Sequence, residues 1–279
     1  MTSIQVLPVI KTVLDSPSLV NALAKGLEIL SLFSEEDLLG NQQLVEMTGL
    51  PKATVSRLTS TLVALGYLRI DPRSRKLTMG TRVLSLGLSV QRRIGLQRCA
   101  RPFMEALSKE LDLTVSLGTC DRLKVVALEV CRPPNLNLLV VNFDAGTHLP
   151  LSKTSIGLAC VVASPIKLRT RILEDLRSQS DNWPNLRNTI ERAHSEYERH
   201  GYVIAQRLVG HDVSGVAVPM RLPDANAVYA FNIAGESSRM PLALLHNRLG
   251  PSLKIMVDEI AQVMANLQQP QLVPNAYSD

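Results

Sequence analysis

Aromatic residues are scarce, with one Trp, four Phe and five Tyr in 279 residues, so the core must be built from Leu and Val. Long apolar runs are missing too. The longest, Ile156 to Ala163, falls far short of the about 18–20 residues a membrane-spanning helix requires. The N-terminus has no basic segment followed by an apolar stretch and a small-residue cleavage site, so a cytoplasmic protein is expected. The four cysteines (Cys99, Cys120, Cys131, Cys160) are dispersed without a CxxC, which signals neither a zinc site nor a disulfide framework. GxSxG, GxGxxG and HExxH are absent. Lys153-Thr154 follows Ser152 where a phosphate-binding loop needs Gly. His194 and Glu198 fall at i,i+4 with His200 nearby, but no third ligand is spaced to complete a metal site. His148 and the His211-Asp212 pair lack an adjacent nucleophile. An enzyme is therefore not expected, nor a metal or other cofactor.

What the chain does have is an uneven charge distribution. Residues 1–99 carry 12 Lys/Arg against 7 Asp/Glu, while residues 100–279 carry 18 of each. Within 52–98, ten basic residues face Asp71 alone. A solvated basic face is the ordinary meaning of such a run, but this one begins on a recognisable helix pair. Residues 41–66 read as a short helix from Asn41 to Met47, a Gly49-Leu50-Pro51-Lys52 corner, and a longer helix ending at Gly66. Val55, Leu58, Leu62 and Leu65 form the stripe facing a core. Lys52, Thr54, Ser56, Arg57, Ser60 and Thr61 point outward, a donor-rich face without a carboxylate that suits the base edges and phosphates of double-stranded DNA.

Around that pair the order is regular. Residues 1–18 read as a flexible tail. A helix capped by Ser18 follows, its buried stripe expected at Val20, Leu23, Leu27 and Leu30. Tyr67–Ile70 and Lys76–Met79 read as a hairpin whose tip holds Arg73 and Arg75, a wing placed to reach phosphates. The winged helix-turn-helix thus spans 19–81, with the wing at 67–80. A helix capped by Thr81, the 82–98 linker, carries Val83, Leu84, Leu86, Leu88 and Val90, too many for one narrow stripe. It packs either in a homodimer interface or against the chain's own core.

Residues 99–270 change character. A helix from Pro102 to Leu111 is followed by strands at 113–119, 123–130 and 137–143, helices at 155–163, 166–178 and 185–199, strands at 201–207, 213–220 and 228–234, and a closing helix from Leu242 to Leu267. A turn is expected at Pro223–Asn226, and 271–279 form a tail. This is an α+β two-domain chain, its second sheet largely antiparallel. The N–H groups of Ile156, Gly157 and Leu158, at the start of a short apolar helix, could receive a carboxylate; a capped helix with nothing bound gives the same pattern.

In this order of parts the chain resembles the IclR family of bacterial transcriptional regulators over about residues 18–268. The resemblance rests on Ser18-Leu19 with Ala24–Leu30, Thr48–Leu58, Leu65–Leu68, Leu77–Leu84, Leu149-Pro150-Leu151 with Gly157, Gly201-Tyr202, and Val216–Pro219. It implies a winged helix-turn-helix, a linker helix and a GAF-like effector-binding domain, assembled as a homodimer or dimer of dimers on operator DNA. Carried over, the ligand pocket falls at Ser155, Ile156, Gly157, Leu158, Ala205, Gly215, Asn232 and Ala234. The family's acidic residue is replaced by Ala205, its Cys by Gly215, and its two serines by Asn232 and Ala234. The expectation is a regulator responding to a larger or more apolar effector, such as an aromatic acid. The alternative is a ligand-independent regulator whose second domain serves only oligomerisation.

Overall fold

The computed structural model describes residues 20–33, 36–134, 143–209, 212–222 and 227–268. The tails, the Ser18 cap, most of the 137–143 strand and the 223–226 turn lie outside them. The chain divides into two compact units between Ile94 and Gly95.

The first unit runs α1 (Asn21–Leu32), α2 (Asn41–Thr48), α3 (Lys52–Ala64), β1 (Leu68–Ile70), β2 (Leu77–Met79) and α4 (Thr81–Ile94). Its core is Ile29, Phe33, Leu39, Leu44, Val55, Leu62, Leu68 and Leu77. Of the stripe expected on α1, Leu30 packs against this core, but Val20, Leu23 and Leu27 are 68%, 62% and 58% exposed, while Gly26 and Ile29 are buried. Both sets have helical spacing, and Ile29 with Phe33 at i+4 forms the second stripe, so periodicity could not choose. Leu65 is likewise exposed, because it is the residue after the last turn of α3, where the chain swings toward Gly66. Thr81 is the first residue of α4 and not its cap, and the helix expected to reach Arg98 stops at Ile94.

In the second unit, α5 (Leu96–Leu111) is followed by β3 (Thr114–Asp121), β4 (Lys124–Cys131) and β5 (His148–Pro150). Then come α6 (Ser155–Ala163), α7 (Ile166–Gln179), α8 (Trp183–His200), β6 (Val203–Val209), β7 (Val213–Arg221), β8 (Val228–Glu236) and the closing helix α9 (Gly250–Gln268). The six strands form one sheet ordered β5-β4-β3-β8-β7-β6, and every pairing is antiparallel. Alternate residues face opposite ways. One face carries α6, backed by α7 and α8; α5 and α9 pack on the other.

Two prolines lie inside helices, and one of them, Pro102, reads in the sequence as a boundary. Pro102 sits within α5, on its exposed side, while Leu96, Ala100, Met104 and Leu107 bury the other. The carbonyl a proline leaves without its N–H partner can then be hydrated. Pro251 sits at the second residue of α9, directly after a π turn at Leu245–Leu249 that widens the backbone ahead of it. Among the described residues no helix is long and apolar enough to cross a membrane.

Candidate nucleic-acid interface and effector site

Gly49 ends α2 with φ of 68°, a left-handed conformation that costs a glycine little, and its N–H bonds Val45 O at 2.8 Å. Pro51 then starts α3. Thr59, 3% exposed, lies at the crossing of the two helices. Around α3, at about 100° per residue, Lys52, Ser56, Ser60, Arg57 and Thr61 fan across one side, and all five are exposed. Thr54, at the edge of this arc, is half-buried. Ala53 lies near the middle of the same arc and is exposed; the sequence reading passed over it because it sought polar side chains. A methyl group there suits contact with a thymine methyl.

The wing is fixed at its base and shaped at its tip. Leu39 and Leu77 exchange backbone hydrogen bonds of 3.0 and 2.9 Å, adding a bridge to the β1–β2 pair. At the turn, Asp71 Oδ2 accepts from the Ser74 N–H and the Ser74 hydroxyl, both at 2.7 Å. These bonds, the backbone one first, hold the Asp71 carboxyl below its ordinary range. Arg75 adopts φ of 59°, and both Arg73 and Arg75 are exposed. Arg82 is tied back differently: its Nη1 donates to Leu65 O at 2.9 Å and its guanidinium lies over the Tyr67 ring.

In the second unit, all eight residues assigned to the effector site are buried. Strand register aligns Ala205 with Gly215, Gly215 with Ala234, and Asn232 with Ser116. Ser155 reaches the same place from α6. A Cβ at Gly215 would stand 2.7 Å from Ser155 Oγ and 3.4 Å from Asn232 Oδ1, so glycine is needed for this approach. Ile156 points elsewhere, its Cδ1 lying 3.0 Å from where a Gly118 Cβ would be. Gly157 packs against the Leu151 carbonyl, which a Cβ would overlap.

At the α6 N-terminus the sequence left an anion cradle and a capped helix open, and the cap is present. The Gly157 N–H donates to Thr154 Oγ1 at 3.1 Å and the Leu158 N–H to Thr154 O at 2.9 Å. Thr154 caps the helix, so two of the three donors are already used. The unsatisfied polar atoms lie instead on the sheet beneath: Asn232 Oδ1, Ser116 Oγ and Thr114 Oγ1 are buried without hydrogen-bond partners among the described residues. Thr114 pairs with Ala234 as Ser116 does with Asn232. Both hydroxyls were missed, because each sits in a strand read only for its Val and Leu. The three polar atoms share the face that α6 covers and offer a ligand hydroxyl and amide contacts without a fixed charge.

The thiols stay structural: all four cysteines are free, and burial, with the Asp121 charge adding, pushes Cys120 up to about 11. His148 lies on edge strand β5, and His211 is outside the described residues.

Comparison with known proteins extends both halves. The IclR helix-turn-helix domain matches residues 22–72, and the bacterial transcriptional regulator IclR C-terminal domain matches residues 88–262. The chain is 64% identical over 256 residues to the HTH-type transcriptional regulator TsaQ1/TsaQ2 of Comamonas testosteroni, covering 91% of this chain and 92% of that protein. The structure of an IclR family transcriptional regulator from Brucella abortus superposes with a TM-score of 0.79 at 37% identity, over 89% of this chain and 94% of that one. An IclR homolog complexed with 4-hydroxybenzoate from Microbacterium hydrocarbonoxydans shares the fold, with a TM-score of 0.65 at 20% identity over 86% and 96% of the two chains.

Proposed function

Because the chain belongs to the IclR family of bacterial transcriptional regulators, we propose that α3 is its recognition helix and that the buried polar atoms under α6 receive an aromatic hydroxy acid. The acid-free, exposed face of α3 carries the first half of this reading. Lys52, Ala53, Ser56, Arg57 and Ser60 lie along the major groove, with Thr54 at its edge, while Arg73 and Arg75 hold the flanking backbone. Lys52 opens α3, where the helix dipole disfavours a cation; a DNA phosphate nearby reverses that penalty. Footprinting on the protein's own promoter region tests this. Arg57→Ala abolishes the footprint while the circular dichroism spectrum is unchanged; an unchanged footprint removes α3 from the groove.

The effector half follows from what α6 leaves unsatisfied. Ser116, Thr114 and Asn232 offer hydrogen bonds to a hydroxyl, and the Ala205–Gly215–Ala234 surroundings suit an aromatic ring. That a fold relative carries 4-hydroxybenzoate agrees with this reading. Aromatic hydroxy acids raise the melting temperature of the full chain, whereas small oxoacids do not. Stabilisation by neither class supports the ligand-independent alternative, which the satisfied N–H groups at Thr154 favour.

The operator-bound species is a homodimer or dimer of dimers, working in the cytoplasm. Leu84 and Leu86 on α4 are 63% and 54% exposed, and Leu23 and Leu27 add apolar side chains that the described residues leave largely exposed. The effector acts by favouring one of two arrangements of the paired reading heads, which requires different affinities for the two.

A further inference from the structure

At the C-terminal end of α8, side chains from two elements converge, none of them a residue of the two sites described above. Glu196 and His200 stand four apart on α8 and so share a side of the helix. His246 comes from the π turn Leu245–Leu249. One nitrogen or oxygen atom from each of the three lies within 4.8 Å of the other two. His246 Nε2 is 4.0 Å from Glu196 Oε2, and that carboxylate oxygen is buried without a hydrogen-bond partner among the described residues.

The rest of the cluster orients the imidazoles. Tyr202 Oη is 3.2 Å from the His246 carbonyl oxygen and 3.4 Å from His246 Nδ1. With the hydroxyl donating to the carbonyl, His246 Nδ1–H donates to the hydroxyl, and the Nε2 lone pair faces Glu196. A ligating histidine is held by its second nitrogen in this way. The Tyr202 ring is itself fixed: a Cβ at Gly250 would fall 2.6 Å from it, and the His200 ring stacks on it with centroids 5.5 Å apart.

We propose that Glu196, His200 and His246 bind a divalent first-row transition ion, zinc foremost, which cross-links the end of α8 to the start of the closing helix. Two imidazoles and a carboxylate are a donor set zinc accepts, with water completing the shell. Ligands at ~2.1 Å from a tetrahedral ion stand about 3.4 Å apart. The Glu196–His246 gap therefore needs to shrink by roughly half an ångström, within reach of small side-chain rotations. The ion supplies what the buried Glu196 oxygen lacks. The neighbouring histidine does not belong to this set: His194 lies six residues before His200 on another side of α8. Its Nε2 is 3.4 Å from Arg169 Nη1 and its Nδ1 3.7 Å from Glu198 Oε1, so a guanidinium occupies the place a cation would need.

The test uses the full-length, untagged chain after chelator treatment, titrated with Zn²⁺ by calorimetry and with Co²⁺ by visible absorption. One ion binds per chain, Co²⁺ gives a four-coordinate spectrum, and Zn²⁺ raises the melting temperature. His200→Ala, His246→Ala and the near-isosteric Glu196→Gln each weaken binding at least about tenfold, while His194→Ala and Glu198→Gln leave it unchanged. His200 is exposed, so its variant stays folded and decides the matter even if His246→Ala does not. Absence of saturable binding overturns the proposal, as does affinity that survives His200→Ala.

Discussion

The hydroxyl of Thr59, in the middle of α3, lies 3.2 Å from Oδ1 of Asn41, the first residue of α2. The same hydroxyl is 3.0 Å from Val55 O, so one proton is shared between an inter-helix bond and the helix's own backbone. Thr59 is nearly fully buried. The contact sets the angle at which the exposed face of α3 is presented. Thr59→Val keeps the shape and removes the bond; we expect a stability loss of about 1 kcal/mol in chemical denaturation, with weaker operator binding. A variant of wild-type stability and affinity would show that packing alone fixes the angle.

The wing makes a separate contribution. Replacing Arg73 with Gln and Arg75 with Gly removes two exposed cations, and glycine suits the left-handed backbone at position 75. Binding should weaken on specific and non-specific DNA alike, and the slope of log affinity against log salt should fall by about 1.8. A salt slope equal to that of the wild type would take the wing off the contact list.

Acid should act on the same turn through Asp71. Its folded carboxyl is held below the unfolded value of about 3.9, chiefly by the Ser74 N–H. The linkage is therefore stabilising above the unfolded value and is lost as pH falls through the folded one. A carboxyl titration followed by NMR should show a midpoint below about 3.9 for Asp71. A midpoint at or above that figure would mean that the Ser74 bonds do not persist in solution.

Under α6, Ser116→Ala removes a buried hydroxyl that has no partner. Unfolding free energy should rise by about 1 kcal/mol, since the unsatisfied group is gone, while thermal stabilisation by an aromatic hydroxy acid should shrink. Destabilisation by the variant would show that Ser116 is already hydrogen-bonded without a ligand.

How far these features were legible beforehand differs by residue. The reading head was, because Gly49, Pro51 and the Asp71–Arg75 turn are local signals read within a few residues of where they act. The orientation of α1 was not. Leu23 and Leu27 are as apolar as Ile29 and Phe33, and only tertiary contact decides which pair is inside. Pro102 misled for the opposite reason: a local rule was overridden by a solvent-facing carbonyl. At the effector site, α6, Asn232 and Ala234 could be placed by resemblance. Ser116 and Thr114 needed the β3–β8 register, which joins residues more than a hundred positions apart. The Glu196–His246 approach is of the same long-range kind.

The π turn at Leu245–Leu249 has a consequence for how this chain tolerates change. A turn of this type holds about one residue more than an α-helical turn, and each residue advances a helix by about 100°. Deleting one residue there would therefore restore a plain helix while rotating everything before it against everything after. Leu245 and His246 would leave their present bearings, although Leu253, Val257 and Ile260 kept theirs against the sheet. A single-codon deletion at this position would act as a quarter-turn of a screw, and point substitutions around it would give no warning of the effect.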